Sequence, residues 1–460
     1  MVEEGLGNAS YLVDVGDGRA LVIDPERHPR PYLAEADRRN LRVAWAAETH
    51  VHADFVSGAT ALAAHGATVV AARSAGLGFA HQGLDDGGLV DLGGLVLEVL
   101  ATPGHTPAHV AFVLLDGPRP LGVFSGGALI VGGAARTDLA GEHDTERWAR
   151  AAYRSVRDRL MALPDHVALY PTHGPGSFCS TAASGERSST IGAERRANPL
   201  LAGDADEDTF VTRLLGGLGT YPAYFARLPA LNQAGPSLLE PWPTLPQLSV
   251  AQLHAAFDYG ADLIDVRPVD EFAAGHVPGS LSIELRPQFQ SWLGWLVELG
   301  QPLTFIVGAH QDRAELVRQC LNIGHSKLVG ELAGGIETWT AAGLARSTIP
   351  LINAVDLDPA EQILDIRQVS EWTVGHIPGA HHVELGALRG ADALGADLTS
   401  TALAETERGA EPLAVMCAHG QRSMTAASLL ARHGHDRLEV LRDGVEEWSA
   451  ASGIPPATGK

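Results

Sequence analysis

Two groups of residues in this 460-residue chain have the types and spacing that chemistry requires. The first is Cys417-Ala418-His419-Gly420-Gln421-Arg422-Ser423, set between an apolar run, Leu413–Met416, and a helical pattern from Met424 to His433 that Gly434 ends. A cysteine at such a junction faces backbone N–H groups that turn inward and the positive end of the following helix. Both favour thiolate over thiol, and the thiolate is the nucleophile. Gly420 permits a tight curl, and Arg422 adds a fixed positive charge at the end of the loop. The second group is rich in histidine: His50, His52 and Asp54 directly after an apolar run, His105 in Thr102-Pro-Gly-His105-Thr-Pro107, and His173 in Tyr170-Pro-Thr-His173-Gly174. An H-x-H pair with a third histidine from a distant loop can give one divalent metal a set of nitrogen ligands and leave a position open.

The elements that position these groups differ between the two halves. The second half is a tandem repeat. Leu263-Ile-Asp265-Val-Arg267 and Gly275-His276-Val277-Pro278-Gly279 recur 100 residues later as Ile363-Leu-Asp365-Ile-Arg367 and Gly375-His376-Ile377-Pro378-Gly379. Gly335-Ile-Glu337-Thr-Trp339 recurs 109 residues later as Gly444-Val-Glu446-Glu-Trp448, so about nine extra residues are expected in the second copy between Arg389 and Thr399. Short apolar strands alternating with helices predict a parallel sheet in each copy. Carrying the offset of 109 back places Cys417 on Gly308, Gly420 on Gln311 and Arg422 on Arg313. The first copy therefore has no thiol at this point, and a structural or docking role is expected for it. Cys320 does not replace it, since Leu316 to Leu321 reads as helix and Cys320 is expected to pack inside.

The first half has strands at Ser10–Val15, Ala20–Asp24, Val43–Ala47, Leu95–Ala101, Val110–Leu115 and Leu121–Phe124, which predicts a layered α/β sandwich. Leu228 to Leu248 contains five prolines and reads as a connector. The expected domains are 1–240, 246–345 and 350–458.

Composition bounds the function classes. An apolar fraction of 45% with 19% charged residues is that of a globular chain. The formal charge of −22 disfavours nucleic acid and anionic membrane surfaces as partners. No apolar run reaches the roughly 18 residues of a membrane span. The acidic start, Met1-Val2-Glu3-Glu4, lacks the basic region of a signal peptide, so a cytoplasmic protein is expected. Three cysteines without a CxxC pair exclude a disulfide framework and a cysteine-rich zinc module.

The Cys417 segment resembles the rhodanese family, whose loop is a Cys-x-x-Gly-x-Arg turn at the same strand-to-helix junction, and the Asp365-x-Arg367 and Gly375–Gly379 elements match it too. The resemblance implies that Cys417 accepts a sulfane sulfur as a persulfide and passes it to a nucleophile. A CxxxxxR phosphatase is the chemical rival, but only four residues separate Cys417 from Arg422, one fewer than that motif has. The first half resembles the metallo-β-lactamase superfamily. Glu48–Asp54, Ala101–His105, Phe124–Gly126, Ala135–Leu139, Tyr170–Cys179 and Glu194–Pro199 are similar to its persulfide dioxygenase branch. The order of a metallo-β-lactamase fold, a cysteine-less rhodanese and a rhodanese is that of sulfide-detoxifying fusion proteins.

That resemblance implies one iron held by two histidines, matching His50 and His105, and by an aspartate whose position here is Gly127. It also implies a histidine at Phe55 in the superfamily's two-metal hydrolases. Without these, a weakened mononuclear site is expected, His50, His52 and His105 holding Fe²⁺ or Zn²⁺. Asp54 and His173 would stand behind the ligands, Asp138 or solvent would replace the carboxylate, and Cys179 would line the substrate pocket. The resemblance further implies glutathione or a similar thiol, thiosulfate and sulfite as small-molecule partners, and a homodimer. Two other readings of the first half remain: a zinc thioester hydrolase resembling glyoxalase II, and a metal-free scaffold.

Overall fold

In the strands of the first half, alternate residues face different cores, which is what a half-buried sheet requires. In a computed structural model of the chain, residues 1–180, 185–357, 362–389 and 412–459 are described. Apart from Arg389, the loop expected to hold the second repeat's extra residues lies outside them. One sheet has the strand order Tyr11–Asp14, Arg19–Ile23, Arg42–Ala47, Thr68–Ala72, Gln82–Leu84. The other runs Ser189–Thr190, Ala168–Pro171, Arg119–Gly126, Val110–Asp116, Val96–Ala101, Leu89–Asp91. Leu21, Ile23, Val70, Val99, Phe112 and Phe124 meet between the two sheets. Their neighbours face outward: Val22, Ala46 and Val69 pack on Tyr32, Ala36 and Leu62 of the helices covering the first sheet. Ala111, Val113 and Val123 pack on Ala149, Val156 and Phe210 over the second. The result is an αββα sandwich, each buried large side chain contributing about 1.5–3 kcal/mol.

The five-proline stretch is not wholly a connector. Leu228–Ala234 is a helix with Pro229 in its first turn, where the missing N–H of proline costs nothing. The chain divides into two compact units, Met1–Pro243 with Cys320–Gly324, and Thr244–Gln319 with His325–Lys460.

In the second unit each repeat forms a five-stranded parallel sheet of the same order. The first is Gln247–Leu248, Leu328–Leu332, Leu303–Ile306, Asp262–Asp265, Leu281–Ser282. The second is Leu351–Ile352, Leu438–Leu441, Leu413–Met416, Gln362–Asp365, His381–His382. The shared Asp-x-Arg motif braces each copy. Arg267 pairs with Asp265 at 2.6 Å and donates to the Gly275 carbonyl at 2.9 Å. Arg367 pairs with Asp365 at 2.6 Å and donates to the Gly375 carbonyl at 2.8 Å.

Sheet register corrects one alignment. Asp265 pairs with Ile306, and Asp365 with Met416, so the two central strands are 110 residues apart, not 109. The lost residue is a bulge: Leu303 pairs with Leu328 but Thr304 with Gly330. By register, the residue in the place of Cys417 is Val307 rather than Gly308, and Arg422 falls on Asp312 rather than Arg313.

Candidate functional site

Cys417 is the first residue beyond the central strand Leu413–Met416, at the end where loops of a parallel sheet converge. It is 1% exposed. The helix that follows is Gln421–Arg432, starting earlier than the sequence pattern suggests because Gly420 caps it with φ +82°. Arg422 and Ser423 therefore lie on its first turn. The Ser423 hydroxyl is 3.4 Å from Cys417 Sγ and donates to the Gly420 carbonyl at 2.9 Å.

Arg422 is held by both oxygens of Glu371, at 2.6 and 2.7 Å, and lies 5.8 Å from the Trp292 ring. Burial works against its charge, but Glu371, Cys417 and Asp365 more than offset this and raise its pKa. Trp292 belongs to the first repeat, which has no thiol at the position of Cys417, as does Arg286. Burial lowers the Arg286 pKa, and Glu284, Cys417 and Arg422 are its charged neighbours. The second repeat's thiol loop is thus completed by side chains of the first. His419 is exposed, and Ala418 and Gln421 are half-buried.

In the first repeat the corresponding loop is filled by its own side chain. Gln311 Oε1 accepts from the Gly308 N–H at 2.8 Å, and Arg313 donates to the Gly308 carbonyl at 2.7 Å. A cavity of about 530 Å³ opens there, lined among others by Arg267, Arg313, Glu271 and Glu331. Its innermost charges already pair with one another, Arg313 with Glu331 and Arg267 with Asp265.

The histidine centre forms where strand ends of both sheets meet. His50 and His52 follow Arg42–Ala47, His105 follows Val96–Ala101, and His173 follows Ala168–Pro171. All four are buried, and so are Asp24, Glu48, Asp54 and His109. One ligand atom from each of His50, His105 and His173 lies within 4.8 Å of the others; Asp24, His50 and His52 form another such set, and His52, Asp54 and His173 a third. His52 Nε2 sits 3.0 Å from Glu48 and 3.3 Å from Asp24. Although burial opposes its charge, these two carboxylates raise its pKa to about 10. Burial, with neighbouring imidazoles, lowers His50 and His109, and brings His105 to about 3.

Asp54 accepts from Asn8 at 2.8 Å through Oδ2, while its buried Oδ1 has no hydrogen-bond partner among the described residues. A buried carboxylate oxygen left so is costly unless a cation or water meets it. That atom, and three imidazoles converging in a buried site, fit a divalent metal. Asp138 is drawn aside by Arg136, both oxygens at 2.7 Å. Cys179 is fully buried, and burial, reinforced by Asp54, pushes its thiol well above the ordinary value. Phe55 occupies the expected second-metal position, stacked 4.2 Å from the His52 ring.

Three positioning residues escaped the sequence reading. Asp24, with φ +48°, accepts from Thr49 N at 2.7 Å and Thr49 Oγ1 at 2.7 Å, and from Thr172. His109 Nε2 accepts from the Gly127 N–H at 3.0 Å. Asn232 donates to the carbonyls of His52 and Phe55, each at 2.8 Å, and accepts from Ser57 N at 2.9 Å. The spacing Thr102-Pro-Gly-His105-x-x-x-His109 was a signal for the second; Asn232, in a presumed connector, had none.

An αββα sandwich with a buried histidine centre at its strand ends, followed by paired parallel-sheet modules with one thiol loop, defines the class of protein. The metallo-beta-lactamase superfamily model matches residues 4–173, and the rhodanese-like domain model matches 249–342 and 351–451. The chain is 33% identical over 213 residues to the mitochondrial persulfide dioxygenase ETHE1 of Homo sapiens, covering 45% of this chain and 76% of that protein. It is 32% identical over 242 residues to a probable metallo-hydrolase of Burkholderia pseudomallei, covering 44% and 79%. A crystal structure of a metallo-beta-lactamase from Staphylococcus aureus superposes with a TM-score of 0.63 at 28% identity, covering 72% of this chain and 97% of that one. The chain belongs to the metallo-beta-lactamase superfamily and carries two rhodanese-like domains after its metallo-beta-lactamase domain.

Proposed function

We propose that the chain is an enzyme of sulfur metabolism in which Cys417 carries sulfane sulfur and the histidine centre acts on a small persulfide such as glutathione persulfide. The observation that carries this reading is the placement of Cys417 at the end of the central strand, beside an Arg422 that Glu371 and Trp292 hold in place. In the transfer step the Cys417 thiolate attacks the outer sulfur of thiosulfate. An S–S bond forms to Cys417 as the S–S bond of thiosulfate breaks, and sulfite leaves with the electron pair. A thiolate, glutathione or similar, then takes the outer sulfur and restores Cys417. The guanidiniums of Arg422 and Arg286 stabilise the anionic donor and the departing sulfite.

Similarity to a protein named persulfide dioxygenase supports persulfide as the substrate of the first domain. The overall reaction there is RSS⁻ + O₂ + H₂O → RS⁻ + SO₃²⁻ + 2H⁺, and its product sulfite is the leaving group of the transfer run forward. A divalent ion held by the histidines, Fe²⁺ or Zn²⁺, would supply Lewis-acid activation and, as iron, the electron transfer that O₂ chemistry needs. The chain's own residues fix the imidazoles and exclude water.

The test is mass analysis of the reduced full-length protein after thiosulfate, with sulfite measured in parallel. Cys417 is expected to gain one sulfur atom for each sulfite released, and Cys417→Ser to do neither. Undiminished transfer to cyanide by Cys417→Ser overturns the reading. Oxygen uptake with glutathione persulfide, unaffected by Cys417→Ser, reads the first domain separately.

A further inference from the structure

The family's carboxylate position is occupied in this chain, not merely stripped of its side chain. A first side-chain carbon at Gly127 would lie 2.5 Å from His105 Cδ2 and 2.9 Å from Ala135 Cβ, distances real side chains do not tolerate. Neither neighbour is free to retreat. The His105 ring is pinned by its Nδ1–H to the Arg136 carbonyl at 2.7 Å. The Gly127 backbone is pinned on both sides, its N–H to His109 and its carbonyl to Ala135 N at 2.9 Å.

The same network sets the tautomers. Thr49 Oγ1 donates to Asp24, so it accepts from His50 Nδ1–H at 2.9 Å. His173 Nδ1 faces Asn8 Oδ1 at 3.2 Å and Asp54 Oδ2 at 3.4 Å, both acceptors. With Nδ1 of all three rings engaged elsewhere, each Nε2 is turned to the centre, and the Nε2 atoms of His50 and His173 are only 3.4 Å apart. Two ring nitrogens turned to each other at that distance need a proton or a metal ion between or beside them. A ring anchored through Nδ1 and offering Nε2 is the usual state of a metal-ligating histidine. His52 is arranged differently: its Nε2 faces two carboxylates, and among the described residues no convergent triple contains both His52 and His105.

We propose that the metal centre is a three-imidazole site formed by His50, His105 and His173, with the His105 ring filling the place of the family's carboxylate. This rests on the reading of the first domain as a metal centre. His173 replaces His52 in the ligand set, and the His52 ring stands behind it with Nε2 3.0 Å from Glu48 and 3.3 Å from Asp24.

The test titrates Co²⁺ into chelator-stripped full-length protein, following the visible ligand-field bands. The wild type is expected to bind one Co²⁺. His105→Ala and His173→Ala should each weaken binding at least tenfold, and His52→Gln less than threefold. Gly127→Asp should not tighten it. Because His52→Gln could disturb folding, the unmutated Co²⁺ protein supplies a second readout by NMR. Three strongly shifted, exchangeable imidazole N–H signals are expected, one of which His173→Ala removes. Wild-type affinity in His173→Ala, or tenfold tighter binding in Gly127→Asp, overturns the three-imidazole site while leaving a metal centre. No Co²⁺ binding by the wild type overturns the metal reading itself, without touching Cys417.

Discussion

At the scale of residues, the thiol loop was legible because its chemistry is written in seven consecutive positions, Cys417 to Ser423. What holds the loop was not, because Glu371 and Trp292 come from a helix and a repeat distant in sequence. Glu371 gives a direct prediction. It is partly exposed, so its bonds to Arg422 are screened, and Glu371→Gln should cost about 1 kcal/mol of stability. A loosened Arg422 should also slow thiosulfate turnover about tenfold, or ~1.4 kcal/mol of barrier. The pH dependence has a definite sign. Burial raises the Glu371 pKa, but Arg422 outweighs it and the net shift is downward from 4.5. The pair's contribution is therefore complete above that value and is lost as pH falls through the lowered one. Thermal melting of wild type and Glu371→Gln should differ at neutral pH and converge in acid. A constant difference across that range would show that the charge is not what the pair contributes. Among the histidines, the types and the loops were legible, but their division of labour was not. His52 is set apart by Glu48 and Asp24, which belong to no metal-ligand spacing.

At the scale of elements, strands with two apolar faces and the doubled Asp-x-Arg motif were readable because burial and repetition mark them directly. The connector was misjudged at its start. Proline content argues against helix interiors, but Pro229 sits in a first turn, and only the buried contacts of Asn232 show that Leu228–Ala234 belongs to the first unit. That helix is a clamp on the His52–Ser57 loop, joined to three of its backbone groups. Asn232→Ala should leave two buried carbonyls and one N–H unpaired, a cost on the order of 3 kcal/mol. In a unit of this size it should lower the melting temperature by roughly 5–10 °C. Co²⁺ affinity should fall in the same variant, since the loop begins two residues after the ligand His50. Unchanged melting with unchanged affinity would mean that the clamp is idle. The one-residue bulge at Val329 explains why the repeats align at 109 downstream but at 110 through the central strand. A bulge has no signature in an apolar run, so sequence alone placed Gly308 where register places Val307.

At the scale of the molecule, repetition announced two modules but not that one completes the other. Every residue of Phe289–Leu296 in the first module is buried. The helix after Cys417 is buried from Ser423 to Leu430, and its far end is tied to the first module through Arg432, which meets Asp262 at 2.8 Å and the Gly279 carbonyl at 2.9 Å. Ser428 also accepts from Ser282 N at 3.0 Å. None of these contacts repeats with a period, and none belongs to a motif, so the sequence could not show them. The two modules also meet at Gly386, where an added carbon would lie 2.2 Å from the Trp295 ring. Trp295 is a bulky, fully packed side chain, so Gly386→Ala must push the modules apart. Overpacking of this kind typically costs 1–3 kcal/mol, so the prediction is about 2. Trp292 lies one turn before Trp295 on the same helix and sits against Arg422, so the wedge should reach the thiol loop. Gly386→Ala is therefore expected to melt at lower temperature and to transfer sulfur from thiosulfate severalfold more slowly. Co²⁺ binding in the first unit should be unchanged. Lower stability with full transferase activity would separate the docking of the modules from catalysis. Loss of both assigns the first module a share in the chemistry of Cys417, which its own loop, lacking a thiol, could never have suggested.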